Sequence, residues 1–145
     1  MAYDPAELAN PERRIGAYLL DAVVGGIFIS PFLLGMQATG SMPGQGSLVA
    51  FYAWFVPGFL AYYGVIVYLE GEKGVTPGKW LVRIRVRDME SDQVIGWRRD
   101  LGRHLMFIVD AIPLYLGFVW MFFDARYQCW HDKTAHSLVV RGRPV

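Results

Sequence analysis

One aspartate inside an apolar run constrains this chain most. Arg14 stands at the mouth of the run, and from Ile15 to Met36 Asp21 is the only charged residue. About 20 such residues cross a bilayer as a helix. An ionised carboxylate at that depth is costly, and it persists where it faces protein or water and has a partner. The rest of the sequence is therefore read as the supply of partners for Asp21.

Hydrophobic residues make up 54% of the chain and the mean hydropathy is +0.27. They fall in blocks rather than with a helical or strand period, which favours a membrane protein over a soluble domain. A net charge of +1 gives no bulk attraction to nucleic acid. The single cysteine, Cys129, excludes an internal disulfide and a multi-cysteine metal site. The start is acidic, with Asp4, Glu7 and Glu12, and the first apolar run is too long for a signal-peptide core. That helix is expected to remain in the mature protein.

The sequence predicts an all-α membrane protein with three apolar helical segments and a short cytoplasmic β-hairpin, as one unit over residues 1–145. The first helix covers about 11–36, with Asn10 as N-cap and a kink at Pro31. An uncharged Gly/Pro loop follows. The second helix covers about 48–69 and carries Pro57-Gly58 in its middle. The hairpin covers about 79–97. Val82, Ile84 and Val86 alternate with Arg83, Arg85 and Arg87, and Gln93–Trp97 returns as the second strand. The arginine face either meets lipid headgroups or is a solvated strand face. The third helix covers about 98–123, interrupted by Asp110 and broken at Pro113, and residues 124–145 form a tail that is polar apart from Leu138-Val139-Val140.

Lys and Arg placement orients the chain. Residues 37–47 carry none, whereas 70–104 carry Lys73, Lys79, Arg83, Arg85, Arg87, Arg98, Arg99 and Arg103. The expectation is a multi-pass protein of a bacterial inner membrane with a cytoplasmic N-terminus. A single third span would place Arg126, Lys133, Arg141 and Arg143 outside. A re-entrant pair broken at Pro113 returns the tail to the cytoplasm, and is preferred.

The charges repeat a pattern. Arg14 precedes Asp21 by seven residues, and Arg103 precedes Asp110 by seven. Each pair shares a helix face with an axial separation of roughly 10 Å, so partners on another helix are favoured over a direct pair. Asp21 and Asp110 are candidates to exchange arginine partners or to share a proton. The third acidic position is Asp132, between His131 and His136. A metal site there is weighed against a capped turn, and the turn is preferred. No nucleophile–base pair, P-loop or dinucleotide motif is present. The expectation is no enzyme, no cofactor and no bound metal.

Arg14, Asp21, the stretch Thr76-Pro77-Gly78-Lys79 with the alternating residues after it, and the tail His131-Asp132-Lys133-Thr134-Ala135 together resemble the RDD family of small membrane proteins. The resemblance covers about residues 12–141. It implies that Arg14 and Asp21 are the family's Arg and first Asp, and that Asp132, with Asp110 as competitor, is the second. It also implies a suggested role in transport of ions or small ligands. Two readings follow. In one, a homo-oligomer passes a cation or proton using Asp21, with Arg14 or Arg103 setting its charge. In the other, the chain is a non-catalytic accessory or assembly subunit of a larger membrane complex. The lipid bilayer is a partner in both.

Overall fold

The structure, a computed structural model, describes residues 4–40, 48–112 and 116–142. Two long helices dominate it, α1 (Pro11–Ala38) and α2 (Leu48–Lys73). Both contain a stretch long and apolar enough to cross a membrane. Pro11 sits in the first turn of α1, where its missing N–H costs nothing. Asn10 occupies the N-cap position but its side chain makes no capping bond. Each helix continues past its internal proline, Pro31 or Pro57. The helices pack through small residues facing rings: Gly25 lies under Tyr62, Gly58 under Phe32 and Gly35 under Trp54. Such close approach is how helices associate where apolar burial gives no driving force. The opposite faces stay apolar and exposed, with Leu19, Val23, Ile27 and Leu34 on α1 and Val56, Leu60 and Tyr63 on α2.

A short helix, α3 (Pro77–Leu81), follows α2. Thr76 caps it by accepting from the Lys79 amide, and Pro77 again fills the first turn. This corrects the start of the predicted strand: Lys79 to Leu81 are helical because the Thr-Pro pair nucleates a turn of helix. Arg83, at φ +58°, turns the chain into strand β1 (Ile84–Asp88).

The predicted hairpin is also corrected. β1 pairs antiparallel with β2 (Ser137–Arg141), from the tail, with Val86 opposite Val139. Gln93–Trp97 does not form its partner. The turn after β1 closes on Asp88, whose carboxylate accepts from the Ser91 and Glu90 amides at 2.8 and 3.1 Å. The chain then docks on α2 through Gly96 N–H to Gly71 O at 2.9 Å. Ile84 and Val86 are fully buried, in a small core with Ala9, Ala17, Ile95 and Val139. The arginines do not form one open face: Arg83 is exposed, Arg85 half-buried and Arg87 buried.

The third apolar run is not one helix. α4 (Trp97–Ala111) is followed by the short α5 (Leu116–Val119) and a 3-10 turn at Trp120–Phe122. The predicted break at Pro113 lies outside the described residues. α4 carries Trp97, Leu101, Leu105 and Ile108 on its exposed face, continued by Ile112 just beyond it, and buries Asp100, Arg103 and Asp110. A water-facing helix has the reverse arrangement, so this pattern suits an apolar surrounding. Helix α6 (Trp130–Thr134) then packs back on α4 and leads into β2. The pairing of β1 with β2 brings the tail beside the segment that precedes α4.

Candidate functional site

Arg14 is buried at the start of α1, with 2% of its surface exposed. Its guanidinium donates to Asp132 Oδ2 at 2.5 Å and to the Tyr127 carbonyl oxygen. Arg103 donates from Nε to Asp132 Oδ1 at 3.0 Å. Asp132 thus receives two arginines, one from α1 and one from α4, and it also accepts from the Cys129 amide at 3.0 Å. This last bond holds Asp132 in the first turn of α6, where a carboxylate suits the helix N-terminus.

Arg103 extends the network. Its Nη1 reaches Glu70 Oε1 at 2.7 Å and Asp100 Oδ1 at 3.3 Å. Glu70 Oε1 also takes the Lys79 ammonium. His104 sits beside both acids, with Nδ1 3.1 Å from Asp100 Oδ2 and Nε2 3.6 Å from Glu70 Oε2. On the other side of Asp132, His131 Nδ1 contacts Asp110 Oδ2, and Nε2 lies 3.4 Å from the Tyr18 hydroxyl. Gly117 is required here, because a Cβ would collide with the Asp110 carboxylate and the Trp130 ring.

Asp21 lies elsewhere. Its Oδ2 accepts from the Thr76 hydroxyl at 2.5 Å and its Oδ1 from the Gly78 amide at 2.7 Å. Both oxygens hold the turn that starts α3. Neither Arg14 nor Arg103 reaches it among the described hydrogen bonds and ion pairs. Asp110 turns to His131, so the structure does not bring Asp21 and Asp110 together. Of the five candidate charges, Arg14, Arg103 and Asp132 meet directly, Asp110 joins through His131, and Asp21 stands apart. None of the contacts named above involves Arg83, Arg85 or Arg87.

Sequence reasoning missed Glu70, Lys79, Asp100 and His104. The signals were present. Glu70 is the first charge after a charge-free helix, and Asp100, Arg103 and His104 fall on one helix face at spacings of three and four.

The tail groups respond to this setting. Burial alone would raise the Asp132 carboxyl, but Arg14, His131 and Arg103 outweigh it and hold it below the ordinary range. Burial lowers His131, against the pull of Asp132 and Asp110. Burial pushes the Cys129 thiol up to about 12, although Arg14 opposes this.

Among the described residues, two sets of side chains bring metal-ligand atoms within 4.8 Å of one another: Cys129, His131 and Asp132, and Glu70, Asp100 and His104. His136 belongs to neither; it is exposed at φ +47°.

The family model described as the RDD family matches residues 8–136, and the chain belongs to that family. The proline-rich antigen of Mycobacterium leprae (strain TN) is 30% identical over 99 residues, covering 67% of this chain and 39% of that protein. A proline-rich antigen homolog of Mycobacterium tuberculosis (strain ATCC 25618 / H37Rv) is 30% identical over 73 residues, covering 50% of this chain and 30% of its own length. The chain therefore spans well under half the length of these curated relatives. No solved structure matches.

Proposed function

We propose that this RDD-family chain passes a proton or small cation across a bacterial inner membrane, and that the exchange site is the buried cluster around Asp132 rather than Asp21. The charge count of the cluster carries this reading. Glu70, Asp100, Asp110 and Asp132 are buried carboxylates, set against the buried cations Arg14, Lys79 and Arg103. The cluster is one positive charge short. An uncompensated buried charge costs several kcal/mol. A cation or proton taken up by the cluster as a whole removes the deficit. Asp21 is a poorer exchange site because both of its oxygens are engaged by one turn.

In this reading α1 and α2 span the membrane with the N-terminus in the cytoplasm. The eight Lys and Arg residues from Lys73 to Arg103 support that orientation. α4 and α5 enter and leave on the cytoplasmic side, supported by the pairing of β1 with β2. So little apolar material favours a path between copies in a homo-oligomer.

The test is reconstitution of the purified chain into liposomes with a trapped pH dye and an imposed sodium gradient. The proposal predicts a pH change faster than in protein-free liposomes. A rate equal to theirs would contradict it. The accessory reading is favoured by one observation: the matched stretch is only 39% and 30% of the two mycobacterial relatives, so similar units occur within longer chains. Extraction in mild detergent with a stoichiometric larger partner, and no flux, would decide for it.

A further inference from the structure

We propose that Glu70, Asp100 and His104 bind a divalent first-row transition-metal ion. This names a cation class for the cluster and rests on the reading that the cluster takes up positive charge.

The three side chains come from two elements, Glu70 from α2 and Asp100 and His104 from one face of α4. Their ligand atoms lie within 4.8 Å of one another. Each acid has one oxygen engaged: Glu70 Oε1 by Lys79 and Arg103, and Asp100 Oδ1 by Arg103. Asp100 is fully buried; His104 Nδ1 lies 3.1 Å from its Oδ2 but bonds the Asp100 carbonyl oxygen, so Oδ2 accepts no hydrogen bond. A buried carboxylate oxygen left in that state calls for an explanation such as an ion.

The imidazole points to the same conclusion. His104 Nδ1 is 3.0 Å from the Asp100 carbonyl oxygen. A carbonyl only accepts, so Nδ1 carries the hydrogen. In the neutral ring Nε2 then presents a lone pair to Glu70 Oε2, 3.6 Å away. Two acceptors facing each other repel, and either a metal ion held between them or a proton on Nε2 removes that repulsion. A ring nitrogen fixed by a bond from the other nitrogen to a carbonyl is also the usual state of a metal-binding histidine.

The ligand set selects the ion. Two carboxylates and one imidazole offer too few oxygens for a hard ion that depends on many of them. An imidazole with two carboxylates suits zinc, manganese, iron or cobalt. The side chain of His104 is 21% exposed, which leaves a way in. The set of Cys129, His131 and Asp132 is a poorer candidate, because both Asp132 oxygens are taken by arginines and the Cys129 thiol holds its proton.

The experiment titrates the purified, chelator-stripped full chain in detergent with Co2+ and follows its visible absorption. The expected result is one ion per chain, displaced by Zn2+. His104→Ala and His104→Gln should both lose the band, while His136→Ala, at an exposed histidine, should keep it. Absence of Co2+ uptake by the unmodified chain would overturn the proposal, as would uptake unchanged in either His104 variant that stays folded. Failures separate cleanly. Co2+ binding without liposome flux leaves the site standing and removes transport, whereas flux without Co2+ binding does the opposite.

Discussion

Arg14, at the mouth of α1, and Asp132, 118 residues later in the chain, form a fully buried ion pair at 2.5 Å. The pair ties the first helix to the tail. Arg103 approaches the same carboxylate from α4, so one aspartate joins three elements. Removing Asp132 leaves two buried guanidinium groups facing each other. Breaking such a pair from one side costs about 3–5 kcal/mol. Asp132→Asn should therefore lower the thermal midpoint in mild detergent sharply. Arg14→Lys should also lower it, because an ammonium cannot span Asp132 and the Tyr127 carbonyl as a planar fork does. An unchanged midpoint in both would show that the clamp contributes nothing.

Cys129 reports on the same clamp without disturbing it. It is fully buried, and burial keeps its thiol protonated up to about 12. The folded chain should react with maleimide very slowly at neutral pH. Asp132→Asn should speed that reaction by tenfold or more, the effect of about 1.4 kcal/mol less protection. Equal rates, read by mass spectrometry, would mean that the tail stays docked without the ion pair.

Asp21 should behave as a structural residue. A Cβ on Gly78 would strike the Ala17 carbonyl oxygen and crowd the Asp21 carboxylate. Gly78→Ala should therefore push α3 off α1. Thr76→Val removes the hydroxyl that donates to Asp21, at a cost of about 1–3 kcal/mol for the acceptor left unsatisfied. Both variants should lower yield and thermal midpoint. Normal stability in Gly78→Ala would contradict the observed packing.

Acid should loosen the tail in two stages. His131 is lowered by burial, so the unfolded chain takes up its proton first, and stability falls as pH drops below about 6.5 toward its folded value. Asp132, Asp124 and Asp88 are held below the ordinary carboxylate range. Asp124 has Lys133 to offset its burial, and Asp88 accepts first from Ser91 and then from Arg99. Their contribution is complete above about pH 4 and is lost as pH falls further. Thermal midpoints measured from pH 8 to pH 3 should be flat at the top and fall in both windows. A midpoint that rises on acidification would reverse the sign and refute this account.

The two long helices were legible because apolar length is a local signal. The Leu48–Lys73 helix ran one turn beyond the apolar block because Glu70 and Lys73 remain helical. The β-strand at Ile84–Asp88 was legible in its alternation, but its partner was not. Strand pairing is non-local, and the nearest apolar segment, Gln93–Trp97, was an easier guess than Leu138–Val140, which the tail composition also marked as apolar. The partner of Asp21 was misread for a related reason. A charge suggests a charge as its partner, yet the Thr76 hydroxyl and the Gly78 amide satisfy it through hydrogen bonds alone.

The most direct test of the central claim compares Asp21→Asn with His131→Gln in the liposome assay, each normalised to folded protein. The account predicts that His131→Gln abolishes the gradient-driven pH change, because Asp110 loses the imidazole that faces it in the cluster. Asp21→Asn should lower only the amount of folded chain and keep the flux per molecule. Flux that survives in His131→Gln and disappears in folded Asp21→Asn would contradict it and return the exchange site to Asp21.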